Sequence, residues 1–189
     1  MMKKLITVIL IMALVLPAAA LSEDYAPALG MTIQEFISAY NSIGAPLGSP
    51  YAMLSVPYKW TKLNGNNVAW FRPEMGMKTI IFMYSCDTSA GKELTAGLDM
   101  IQIYAEEDDQ LIPLIAVTDR CVSVFTEDIL TIDLSAYYIT KLISYYYEHN
   151  AAKNNTSAYY TLGSDSDLIL SLTYMDGYFF QLSRLEGQP

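Results

Sequence analysis

The chain of 189 residues holds one histidine, His149, and two cysteines, Cys86 and Cys121. Three such ligands cannot fill an ordinary four-coordinate zinc site unless carboxylates join them. His149 stands near the end of a predicted helix, where an imidazolium interacts well with the helix C-terminus, so it reads as a capping or surface residue. There is no G-x-S-x-G, so no nucleophile elbow is encoded. The ten glycines sit at turns, and none forms G-x-G-x-x-G or G-x-x-x-x-G-K-[ST]. A phosphate cradle of either type is therefore absent from the sequence. Basic residues are scarce, 11 against 20 acids, and no run of them forms a cluster. Affinity for nucleic acid draws heavily on Lys and Arg neutralising phosphates, which argues against that partner and against docking on anionic lipid. The acidity suits solubility instead. No metal and no cofactor is expected.

Acids are plentiful but unorganised. Asp165-Ser166-Asp167 resembles the start of a calcium loop, yet Leu168 and Ile169 fall where a polar ligand and the turn glycine should sit. Glu106 to Asp109 reads as a solvated turn whose charges protect a strand end. Glycoside hydrolysis needs two carboxyls ~5–9 Å apart in a cleft, and nothing along the chain singles out such a pair.

The N-terminus carries the clearest functional signal. Lys3 and Lys4 precede an uncharged apolar run from Leu5 to Leu16, then Pro17 and Ala18-Ala19-Ala20. That is the form of a bacterial secretory signal peptide, with cleavage expected after Ala20. A membrane anchor would need ~20 apolar residues to cross the hydrocarbon, and this run is shorter. No cysteine follows it, which argues against a lipid anchor. Residues 1–20 are thus expected to be a removed signal, and residues 21–189 a single globular domain outside the cytoplasm. Two of the 11 basic residues leave with the signal, so nine face 20 acids, a net charge of −11. An oxidising compartment permits a Cys86–Cys121 bridge. It would close a loop of about 35 residues and contribute ~3–4 kcal/mol. Two buried free thiols are the alternative, since cysteine is among the most buried residue types.

Along the remaining chain, residues 21–31 read as a loop. Thr32-Ile33-Gln34-Glu35 has the form of a capping box. Ile33, Phe36, Ile37 and Tyr40 follow at helical spacing, and Gly44 and Pro46 end that helix. Tyr58 to Leu63 alternates apolar with polar, Asn64-Gly65-Asn66-Asn67 turns, and Val68 to Phe71 returns, a hairpin signature. Lys78 to Tyr84 and Leu98 to Tyr104 read as the third and fourth strands. Residues 111–126 suit either a helix or two strands. Pro113 and the acidic run before it favour the helix, with Leu111, Leu114, Ile115, Cys121, Val122 and Phe125 on one face. Asp133 or Ser135 caps a further helix reaching about Asn150. Ala158 to Leu162, Leu168 to Tyr174 and Tyr178 to Leu182 close the chain as a meander, with Asp176-Gly177 turning the last hairpin.

Strands in runs joined by short turns make an antiparallel sheet, here of about six to seven strands with two to three helices packed on one face. The class is α+β. The order resembles TATA-binding-protein-like and β-lactamase-inhibitor-protein-like arrangements in element order alone, which carries no function.

The 15 tyrosines are the compositional excess. Tyr combines apolar area with a hydrogen-bonding tip, which suits interfaces as well as half-buried strand positions. Tyr145, Tyr146 and Tyr147 put phenols on more than one face of their helix and are the candidate interaction surface. Trp60 and Trp70 flank the first hairpin turn and read as cross-strand packing. The leading expectation is a secreted, non-catalytic binding module. Its partner would be a protein, peptide or glycan, with self-association as a further use of the same face. An extracytoplasmic hydrolase using a carboxylate pair or a cysteine, and a structural cell-surface protein, are the competing expectations.

Overall fold

The computed structural model describes residues 26–44, 54–72, 79–87, 92–105, 111–126, 157–161, 167–174 and 177–184, together with Thr140, Lys141 and Ser144. Helix α1 spans Ile33–Gly44. Its start is the capping box read from the sequence. Glu35 N–H donates to Thr32 Oγ1 at 3.2 Å, and Glu35 Oε2 accepts from Thr32 N–H at 2.8 Å. The buried face is Ile33, Phe36, Ile37 and Tyr40, at the spacing of successive helical turns.

Strands β1 (Lys59–Leu63) and β2 (Asn66–Phe71) form the first hairpin. Asn64 and Gly65 take φ of 48° and 87°. Positive φ at both central positions is what a two-residue type I′ turn requires, and its twist matches that of the strands. The turn is therefore tighter than Asn64 to Asn67: Asn66 and Asn67 pair with Leu63 and Lys62 as strand residues. Strands β3 (Ile80–Ser85) and β4 (Met100–Ala105) extend the meander. Helix α2 spans Leu111–Ser123, so the helical reading of this ambiguous stretch is the right one. Its buried apolar side chains are Leu114, Val117, Cys121 and Val122. The helix expected up to about Asn150 falls largely outside the described residues; Thr140, Lys141 and Ser144 are helical and exposed. Strands β5 (Ser157–Thr161), β6 (Leu168–Tyr174) and β7 (Tyr178–Arg184) complete the sheet.

The seven strands lie in the order β1-β2-β3-β4-β7-β6-β5, and every neighbouring pair is antiparallel. The class is α+β, as the strand runs implied. Two meanders meet at their last strands, β4 and β7, with Gln102 opposite Gln181. Moving outward, Phe82 and Ser171 occupy corresponding positions, then Trp70 and Tyr159. Ala69-Trp70-Phe71 thereby corresponds to Ala158-Tyr159-Tyr160. The β3–β4 connection is longer than the β6–β7 turn, which hides this correspondence from a fixed-offset search along the sequence.

Both helices contribute to one core. Ile33 and Phe36 of α1 and Leu114 and Val117 of α2 join Ile81, Met83, Ile101, Ile103, Phe180 and Leu182 from one sheet face. The opposite face of β2–β4 is also buried. Val68, Trp70, Ile80, Phe82, Tyr84, Met100, Tyr104 and Phe179 form a second, more aromatic cluster there. Trp70 meets Phe82 edge-on at 4.7 Å, and Tyr104 packs on Phe179 at 4.4 Å. These are cross-strand pairs in register, the unit of sheet stabilisation.

Candidate functional site

Asp99 lies just before β4. Its Oδ1 accepts from Ala28 N–H at 2.9 Å and its Oδ2 from Cys86 N–H at 2.5 Å. It ties the lead segment to the end of β3, alongside the bonds Leu29 N–H to Leu98 O and Leu98 N–H to Met31 O. Both carboxylate oxygens thus serve the backbone, a structural use of a buried charge.

Arg120 of α2 is buried against the end of α1. Its Nε donates to the Tyr40 carbonyl at 2.8 Å and Nη2 to the Asn41 carbonyl at 3.4 Å. The guanidinium also sits 4.2 Å from the Tyr40 ring centroid. Carbonyls in the last turns of a helix carry partial negative charge, which favours a cation there. Burial pushes the Tyr40 phenol far up, with the neighbouring Cys121 adding to the shift, so it stays protonated.

A third polar feature crosses the second sheet face. Tyr84 Oη donates to Gln102 Oε1 at 2.6 Å, and Gln102 Nε2 donates to Gln181 Oε1 at 3.0 Å. Gln102 is fully buried and Gln181 half-buried. Ser171 lies opposite Gln181 in register. The sequence carried a signal for this chain: each glutamine interrupts an apolar strand, Met100-Ile101-Gln102-Ile103 and Phe179-Phe180-Gln181-Leu182. Only the β4–β7 pairing shows that the two meet.

The candidate cysteines, Cys86 and Cys121, are not bridged to each other in this structure. Cys86 follows β3 and is half-buried, whereas Cys121 lies in the core face of α2. Burial drives the Cys121 thiol far up, which opposes thiolate chemistry there. Tyr145, Tyr146, Tyr147 and His149 lie outside the described residues. Of the five tyrosines whose side chains are described, Tyr40, Tyr84, Tyr104 and Tyr178 are buried and Tyr58 is exposed. For those four, the phenol excess goes to packing.

Tyr58 draws attention to the first hairpin. Val56 and Tyr58 are the exposed large apolar side chains among the described residues, at 70% and 47%. The Tyr58 ring meets Trp70 edge-on at 6.3 Å. Lys59 Nζ lies 4.4 Å over the Trp70 ring, and the Arg72 guanidinium 5.0 Å over Tyr58. Trp70 Nε1 donates to Thr61 Oγ1 at 2.8 Å, which fixes the indole. Lys62 is exposed one residue before the strand end. No acid occurs between Glu35 and Glu74 in a chain of 20 acids. The hairpin is therefore a cationic, aromatic patch on an acidic protein. No basic cluster is legible in the sequence because Arg72 comes beside Tyr58 and Lys59 only when the strands pair.

No model of a known protein family, no curated protein and no solved structure matches this chain. The functional reading therefore rests on the chemistry of these sites. Among the described residues, no group of three or more His, Cys, Asp or Glu could hold a metal ion, and no helix is long and apolar enough to cross a membrane.

Proposed function

We propose that this protein is an exported, non-catalytic interaction module that binds a protein, peptide or glycan partner through the β1–β2 hairpin. The observation that carries the reading is the hairpin surface itself. Tyr58 is exposed with Arg72 over its ring and Lys59 over the neighbouring Trp70 ring, and Trp70 is held by Thr61. A rigid aromatic anchor flanked by cations offers apolar area at low entropic cost together with charge selectivity. Export rests on the signal-like residues 1–20.

Both parts have a direct test. Protein recovered from the medium of the producing cells should begin at Leu21 by N-terminal sequencing; material retaining residues 1–20 would overturn the export reading. That protein should retain a defined class of probe on peptide and glycan arrays, and Tyr58→Ala should weaken retention at least fivefold. Turnover of a hydrolase substrate without specific retention on either array would overturn the module reading.

A further inference from the structure

We infer that the outer edge of β1 is a strand-addition site for an acidic, extended peptide. The inference rests on the interaction-module reading and names its partner class. Strand β1 ends the sheet order, so among the described residues one side of it has no neighbouring strand. The hairpin's backbone bond outside the ladder, Tyr58 N–H to Trp70 O at 3.0 Å, points inward to β2. The outer row of N–H and C=O groups is a template for one more strand.

Charge decides which strand fits. Lys59 is opposite Trp70 and Lys62 opposite Asn67, three positions apart along β1. Side chains alternate across a strand, so the two lysines flank the edge from opposite faces. Lys59 is held on the aromatic face by the Trp70 ring. Arg72 extends the positive charge at the open end of the hairpin. An added strand with acids three residues apart places one carboxylate beside each lysine. Edge lysines commonly keep identical edges apart. An acidic strand turns that same repulsion into attraction. The edge thus admits a complementary peptide.

The test uses a fluorescein-labelled peptide, Thr-Glu-Val-Thr-Glu-Val-Thr, and the purified exported protein. The peptide should bind and should slow amide exchange along β1. Lys62→Glu should weaken it about tenfold, the scale of exchanging one surface attraction for a repulsion. Lys62 is exposed, so the variant keeps its core. A peptide with lysines replacing the glutamates should reverse the order, preferring the Lys62→Glu protein. On the unaltered protein, N-methylation of alternate peptide amides should abolish binding, because strand addition needs those donors. Equal affinity for the N-methylated peptide would overturn strand addition. Competition by dextran sulfate with no change in β1 exchange would also overturn it, leaving a plain polyanion patch. If the acidic peptide fails while an array ligand still depends on Tyr58, this inference falls and the module reading stands. If both fail, both fall.

Discussion

At the scale of single residues, the least replaceable positions are those where backbone and neighbour leave no alternative. Gly177 precedes β7 with φ of 150°. A Cβ there would collide with Tyr104 Cε2 and stand 2.8 Å from the Ala105 carbonyl oxygen. The carbonyl belongs to the central β4 strand and cannot retreat. Gly177→Ala should destabilise the fold by about 3 kcal/mol, combining positive-φ strain with overpacking. A urea midpoint that does not move would refute this. Arg120 is the second such residue. Arg120→Met keeps the aliphatic stem but removes the charged bonds to the carbonyls of Tyr40 and Asn41. The expected loss is about 2 kcal/mol, seen as a lower urea midpoint at unchanged slope. Both positions were opaque in the sequence. Gly177 read as a hairpin-turn glycine and nothing along the chain singled out Arg120, because their partners lie far away in sequence.

At the scale of elements, local chemistry was legible wherever it is self-contained. The capping box of α1 forms between residues three apart, so four letters sufficed to place it. Thr32→Ala should cost about 1 kcal/mol of stability, and thermal melting is the measurement. Glu35 titrates below its usual range because Thr32 N–H, then the Thr32 hydroxyl, donate to its carboxylate. A depressed carboxyl stabilises above its unfolded value and loses that contribution as pH falls through its folded value. The acid limb of the stability profile should therefore flatten in Glu35→Gln, which removes the titrating carboxyl; an unchanged limb would show that the box does not contribute. The hairpin turn was also legible, though its width was not. Asn66 and Asn67 resemble turn residues by composition. Once Asn64 and Gly65 satisfy the turn, pairing and burial claim the next two. Helix α2 was ambiguous for a related reason. Its β-branched residues suit strands, and packing of Leu114, Val117 and Val122 onto the sheet decides for the helix.

At the scale of the whole molecule, the sheet buries titratable groups in their neutral forms. Burial pushes Tyr84, Tyr40 and Cys121 upward from ordinary values of 10.0, 10.0 and 9.0. Above pH ~9 the unfolded chain releases these protons while the folded one keeps them, so the folded state binds more protons and stability falls as pH rises. Stability from these groups is fully present below that range. Urea midpoints should therefore decline from about pH 9 upward, and less steeply in Tyr84→Phe. A profile flat to pH 11 would contradict the burial of these groups. The two sheet edges differ on the same scale. β1 carries Lys59 and Lys62, whereas β5 reads Ser157-Ala158-Tyr159-Tyr160-Thr161 without a charge.

The sequence by itself determined the α+β class, the strand runs and the first helix with its cap. Each of these is written in residues a few positions apart, where hydrophobic period, turn φ and local hydrogen bonds act. Tertiary structure alone decided that β4 pairs with β7, that Gln102 meets Gln181, and that Arg120 closes α1. It also decided that Lys59 and Arg72 share one hairpin surface with Tyr58 and Trp70. Those outcomes depend on long-range strand pairing, whose register is set by burying both sheet faces together rather than by any local preference.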